Sequence, residues 1–538
     1  MTATTAPTPT RARDTTLPWR RVAPVLTAGF LAAAYVIVSP PTQDLAAHEF
    51  RAQLFSQQGF GLWNDYWYGG HHILGYSVLF PAISALLTPQ LAAALAAIAA
   101  AAVFEPLARR HFGERAWLGA ALFGAATAIN LYTGRLPLAL GALPAVAAID
   151  ALDRRRVVLA AALAVLAALC SPVAAVFAAL AAAGQAVAAA LRHRRVGPAL
   201  PGVAVAAAAL APVALLAIAF PEGGTEPFQV ATLLPVLLCA LVLACVPRIP
   251  PALRTGAAVY ALAMVILFVV PSPVGSNIAR LGTLLAAPLA ALIWWRRRTV
   301  ALALVVPALL YIGWQAPVRD VTALAGDPAT TAAYYQPLLR FLSAQPGGRS
   351  RQFRVEIPFT NSHWEADRVA TRVPLARGWE RQLDVADNPI FYDGRLDAES
   401  YERWLHRNAV RFVALPDARL DYSARAEAAL IRSGLPYLRP VMRSAHWRVY
   451  AVADPTPIAQ GAATLTAMGP DWVALDASRA GTVTLHVHFT PYWALLTGSG
   501  CVAPAGDLTR VIVRRAGAVR LGIRFAVSRV GARSPRCA

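Results

Sequence analysis

The chain has 538 residues, 57% of them hydrophobic and only 14% charged, with a formal net charge of +20. That balance excludes an ordinary soluble globule, which needs more polar surface to cover its core. It does not point to nucleic acid either. The 49 basic residues are all Arg, which fits the coding bias of a GC-rich bacterial genome of the actinobacterial kind, and many sit in clusters that membrane topology accounts for.

In chain order, residues 1–21 are rich in Thr, Pro and Arg and read as a cytoplasmic tail. The apolar run that follows has no small-residue cleavage site after it, so it reads as an uncleaved anchor. From 22 to 316, Ala/Leu/Val runs alternate with short charged or Pro-rich breaks. About eleven of them are long enough to be spans: 22–40, 90–108, 116–130, 136–150, 157–170, 171–191, 199–220, 229–247, 254–271, 280–295 and 298–316. With this count, the Arg clusters at 20–21, 109–110, 154–156, 192–195, 248–254 and 296–298 all fall on the cytoplasmic side. Counting Ile73–Leu87 as a full span would put the next two clusters outside. That stretch, broken by Gly75 and Pro81, therefore reads as a short re-entrant or interfacial helix.

This topology makes 41–89 one long outer loop and places 317–538 outside the membrane. Within the outer region, strand-like runs at 353–358, 410–415 and 446–452 alternate with helical ones at 400–408 and 423–433, which predicts an α/β domain over 317–460. Short alternating runs at 482–489 and 519–527 predict a β-sandwich over 461–538. Cys170, Cys239 and Cys245 lie in apolar runs as packing residues, whereas Cys501 and Cys537 are free to pair if the region is extracytoplasmic. No CxxC or HExxH pattern marks a metal site, and the sequence fixes no cofactor; a divalent cation stays open.

The densest polar content of the membrane half is the first outer loop. It holds Asp44, His48, Glu49 and Arg51, then Asp65, Trp67, Tyr68, His71 and His72. If 44–51 is helical, Asp44, His48 and Arg51 share a face and Glu49 lies one position off it. A carboxylate there, at the membrane surface, is placed to deprotonate a hydroxyl acceptor. The aromatic stretch suits either the membrane interface or the stacking of sugar rings. His71 and His72 are candidates for binding phosphate, a metal or an acceptor, but as neighbours they point different ways, which argues against joint ligation. Arg135 and Arg280 occupy short outer loops where the positive-inside rule would not put them, with Asn277 one turn before Arg280. Each guanidinium suits a phosphate, or a helix end reaching the interface. Glu356, His363, Glu365, Arg377, Trp379 and Glu380 form a polar cluster that reads slightly better as domain surface than as a glycan site.

The long first outer loop with an acidic residue just past the first helix resembles the GT-C glycosyltransferases. The stretch LWNDYWYGGHHILGYSVLFPAISALL is similar to a membrane family labelled as related to 6-pyruvoyl-tetrahydropterin synthase, close to YfhO-type proteins. The tail FTPYWALLTGSG…AGAVRLGIRF resembles the YfhO-type C-terminal sandwich, although its turn, Thr490-Pro491-Tyr492-Trp493, lacks the family's Gly. The resemblance implies an α-helical polytopic bundle with outer α/β and β-sandwich regions. It implies a hexosyl- or pentosyltransferase that moves a sugar from a polyprenyl-phosphate carrier to an envelope glycan or lipid and inverts the anomeric centre. Asp44 best matches the acidic position and Glu49 is second, although the usual paired-acid pattern is interrupted by Leu-Ala-Ala-His. A transporter or lipid flippase is the weaker alternative, since the spans lack charged midplane residues, with Glu105 near a cytoplasmic end as a weak exception, and no inverted repeat shows. A non-catalytic envelope scaffold is the other.

Overall fold

A computed structural model describes residues 19–537; residues 1–18 of the expected tail lie outside them. The membrane half begins with α1 (Trp19–Val38), α2 (Gln43–Gln58) and α3 (Phe80–Leu87), followed by α4 (Pro89–Phe112), α5 (Ala116–Tyr132), α6 (Leu136–Asp153) and α7 (Val157–Cys170). It continues with α8 (Pro172–His193), α9 (Leu200–Ala219), α10 (Val230–Cys245), α11 (Pro251–Val269), α12 (Ala279–Trp294) and α13 (Thr299–Leu324). Eight helical stretches are long and apolar enough to cross a membrane, and α7 and α10 are shorter apolar helices. The stretch Pro89–Tyr132 contains two helices joined by a turn at Gly113–Arg115. All of the predicted spans are helical. The protein is a multi-pass membrane protein.

The helices pack through small side chains, because apolar association in lipid depends on close backbone approach. At the α8–α11 crossing, a Cβ on Gly184 would lie 2.5 Å from Gly256 Cα, so glycine is required there. One end of the bundle gathers the basic clusters. Arg110 of α4 pairs with Asp150 and Asp153 of α6, and Trp117 stacks edge-on against Trp19 and Trp295. The opposite end carries α2, the 133–135 turn and the start of α12.

Two expectations about boundaries need correction. Only Phe80–Leu87 of the 73–87 stretch is helical, because Gly75 and the hydrogen bond from Ser77 Oγ to Cys170 O keep the preceding residues irregular. The last membrane helix runs to Leu324, not 316; Pro317 sits inside it.

Past α13, a four-stranded sheet with order Arg354–Glu356, Val410–Pro416, Trp447–Val452, Leu438–Arg443 has its first pair parallel and the rest antiparallel. The helices Ala398–Arg407 and Arg425–Arg432 complete this α/β unit, as the alternation predicts. Two antiparallel sheets of five and four strands then form the sandwich, closed by a disulfide between Cys501 and Cys537.

Candidate active site

The loop after α1 is built from the end of that helix inward. Thr42 caps α2 by accepting from Leu45 N, so the helix starts with Asp44 in its first turn, where a carboxylate suits the N-terminal partial charge. The 133–135 turn lies against this point. Gly134 has φ +73°, and a Cβ there would sit 2.3 Å from Thr42 Oγ1 and 2.9 Å from Asp44 Cβ. His48, one turn along α2, fastens the same turn through a 2.9 Å hydrogen bond between Nε2 and Gly134 O.

Three of the predicted residues meet here. Asp44 is half-buried and lies in the fields of Arg280, Arg135, Asp320 and His363. Burial lifts its carboxyl above the ordinary carboxylate range, and the two guanidiniums oppose that lift. Burial, and then the charge of Arg280, lowers Arg135 to about 10, which still leaves it cationic at neutral pH. Neither Arg135 nor Arg280 forms a contact ion pair with a carboxylate among the described residues. Two mutually repelling cations, with Asp44 and Asp320 in their field, make an anion-receptive cluster. Asn277 is buried on the turn before Arg280, and its Oδ1 has no hydrogen-bond partner among the described residues.

A second group adjoins the first. Arg51 pairs with Glu380 and lies over the Tyr76 ring at 4.2 Å and the Trp379 ring at 5.6 Å. Trp379 Nε1 donates to Gln43 O at 3.0 Å, so the outer domain roofs the start of α2. His71 Nε2 lies 4.0 Å from Glu380. Burial, then Arg51, holds both His71 and His48 at about 3, so both rings are neutral. Tyr76 joins the two groups, since its phenol feels Asp44, Arg51, Arg280 and Glu380 together.

The remaining predicted residues do other work. Glu49 points away from Asp44 to Arg368, 3.5 Å off in the outer domain. Asp65 is fully buried and accepts from Trp63 Nε1 at 2.6 Å. Trp67, also fully buried, stacks on Phe50 at 4.2 Å and donates to Ala366 O. Tyr68 OH donates to Glu380 O. His72 bridges Glu222, at 2.6 Å from Nδ1, and Thr490 Oγ1, at 3.0 Å from Nε2. With no face open to a ligand, Asp65, Trp67 and Tyr68 are packing residues, and neither the interfacial nor the sugar-stacking reading holds for them. The 63–72 segment is a keystone on which the bundle, the α/β unit and the sandwich all rest.

The outer cluster is also not domain surface. Glu356, His363, Glu365 and Arg377 are all buried. Arg377 lies between the rings of Phe359 and Phe391, with Asp384 at 2.5 Å, Glu427 at 3.3 Å and Glu356 at 3.9 Å. Sequence reasoning did not single out Tyr76, Glu222 or Asp320, and it had no means of placing Trp379, Glu380 and His363 at α2. Among the described residues, no group of three or more His, Cys, Asp or Glu is placed to hold a metal ion.

The molecule so defined is a helical membrane bundle capped by an α/β unit and a β-sandwich over a carboxylate–arginine cluster. No protein-family model and no curated protein matches the chain. It is similar to the arabinofuranosyltransferase AftD from mycobacteria, with 15% identity and a TM-score of 0.43, over 95% of this chain and 57% of that one. It thus spans a little over half the length of that protein. It is similar to ArnT from Cupriavidus metallidurans, solved bound to undecaprenyl phosphate, with 15% identity and a TM-score of 0.39, over 81% of this chain and 98% of that one. The archaeal oligosaccharyltransferase AglB from Archaeoglobus fulgidus, solved with an inhibitory peptide and a dolichol-phosphate, gives 12% identity and a TM-score of 0.35, over 74% of this chain and 69% of that one.

Proposed function

We propose that the protein is a membrane glycosyltransferase that moves a sugar from a polyprenyl phosphate to an acceptor on the outer side of the cell membrane. The observation that carries this reading is the convergence of a half-buried carboxylate, Asp44, with two arginines, Arg135 and Arg280, that form no contact ion pair with a carboxylate among the described residues. Asp44 takes the proton of the acceptor hydroxyl as its oxygen attacks the anomeric carbon. The bond from that carbon to the phosphate oxygen breaks, and the electron pair leaves on the lipid phosphate. Arg135 and Arg280, both half-buried, receive that charge as fixed cations, which act more strongly there than in water. Displacement in one step inverts the anomeric centre.

The basic end of the bundle is assigned to the cytoplasm and the capped end, with residues past α13, to the outside. The Cys501–Cys537 disulfide suits that compartment. Glu49 and Asn277 are assigned supporting roles, Glu49 in holding the outer domain and Asn277 in lining the arginine pocket. The test compares envelope glycans and glycolipids of a deletion strain carrying wild-type protein or Asp44→Asn at equal abundance. A glycoconjugate lost on deletion should return with the wild type and not with the variant. Full rescue by Asp44→Asn overturns the assignment of the base.

A further inference from the structure

The β-sandwich carries a surface that the transfer chemistry above does not use. It meets the bundle at the end of α9. There Tyr492 OH donates to Ala219 O, and the rings of Phe220, Tyr492 and Phe525 lie within 5.6 Å of one another. The last turn of α9 turns apolar side chains away from the bundle, Ile218 with 64% exposure. Just past the joint, Phe525 is 47% exposed and Val527 77%. Water would disfavour both, yet they continue the apolar flank of α9. Residues 524–536 around them hold Arg524, Arg529, Arg533 and Arg536 and no Asp or Glu.

The fold gathers these guanidiniums without balancing them. Arg529 donates to Pro491 O, Ser534 O and Ser534 Oγ, and Arg536 donates to Arg524 O and Tyr492 O. All of these acceptors are neutral. Among the described residues, none of the four arginines pairs with a carboxylate, and Glu222, beside the joint, is already held by His72. Burial, then the charges of Arg529 and Arg524, hold Arg536 below the ordinary arginine range, as expected where like charges crowd. The residue after Arg536 is Cys537, fastened to Cys501, so the cluster is fixed before it meets a partner.

We propose that this edge of the sandwich rests on the membrane and binds anionic lipid headgroups. Phe525 and Val527 enter the boundary between headgroups and acyl chains beside α9, and Arg524, Arg529, Arg533 and Arg536 take the headgroup charge. Two observations make the partner a lipid surface and not another protein. The apolar pair is continuous with the lipid-facing flank of α9. Unbalanced cations around an apolar pair also match negative headgroups lying over acyl chains. The inference stands apart from the transferase reading, since it uses no residue of the Asp44 cluster.

The test uses full-length protein in nanodiscs of phosphatidylcholine or of phosphatidylglycerol, each doped with the same lipid bearing a diazirine near the glycerol end of one chain. Label on the peptide covering 525–527 is measured against label on the α9 peptide that holds Ile218, which meets lipid in either disc. That ratio should be roughly tenfold higher in phosphatidylglycerol, and raised salt should lower it. The double variant Arg524→Gln, Arg533→Gln should lose most of the preference; both side chains are exposed, and melting shows that the variant is folded. Val527→Ser should weaken the label in both lipids. Label on α9 without label on 525–527 overturns the proposal. So does equal label in the two lipids, or a preference that survives the double variant. Protein cross-links at 525–527 in place of lipid label would give the patch to another chain and overturn it as well. Asp44→Asn should label as the wild type does, so that a failed transfer assay and a failed labelling assay each sink one proposal alone.

Discussion

Gly134→Ala separates damage to the site from damage to the fold. At φ +73° an alanine is strained by about 1–2 kcal/mol. It also cannot keep its place, because its Cβ would stand 2.3 Å from Thr42 Oγ1 and 2.9 Å from Asp44 Cβ. Either the turn or the first turn of α2 must give way by roughly 1 Å, and a misplacement of that size costs about 10²-fold in rate at a reacting centre. Gly113→Ala is the control. It has φ +66° and nothing within 4 Å of the added methyl, so it carries the strain without the collision. Both variants should melt a few degrees low in detergent, yet in the deletion strain only Gly134→Ala should fail to restore the missing glycoconjugate. Wild-type restoration by Gly134→Ala would mean that Asp44 is not at the reacting centre. Equal failure of both variants would mean that activity simply follows stability.

Arg377→Met should destabilise the outer domain by about 3–5 kcal/mol, since Asp384, Glu427 and Glu356 would lose their shared cation; denaturation of purified protein checks this. Asp367 is raised to about 7 by burial, against the pull of Arg368. The folded protein then holds a proton that the unfolded chain releases near pH 4, so stability should fall as pH rises from about 4 to 7. Asp367→Asn should flatten that slope in melting curves recorded from pH 5 to 8. Cys501→Ser opens a loop of 36 residues and should cost about 2–4 kcal/mol, lowering the melting point without abolishing transfer, and a reducing agent should do the same to the wild type.

The membrane helices were legible because an apolar run needs no partner to declare itself. Arginine counting separated Ile73–Leu87 from the spans, and the structure gives only the short helix Phe80–Leu87 there. The end of α13 was not legible, because Arg319 and Asp320 look like the start of a soluble region while the backbone stays helical through them. Asp44, Arg135 and Arg280 were readable as residues out of place for their surroundings. The aromatic loop misled, because Trp and Tyr suit an interface, a sugar or a domain core equally well. Only the arrival of Ala366 and Phe50 around Trp67 decides among them. The roof of the site was illegible for a related reason. Trp379 reaches Gln43 across 336 residues, and no local periodicity encodes that meeting.

The keystone segment also constrains how the protein comes to be made. His72 is fastened by Thr490, 418 residues later. At ordinary rates of synthesis that is a wait of roughly 20–80 s. Through that interval the bundle can be fully inserted while the 63–72 segment still lacks its neighbours. A ribosome that stalls, or a chain cut before the sandwich, leaves a membrane-embedded product whose 63–72 segment lacks the Thr490 and His488 contacts that hold it. Completion of the last domain is therefore what fixes the 63–72 segment in place.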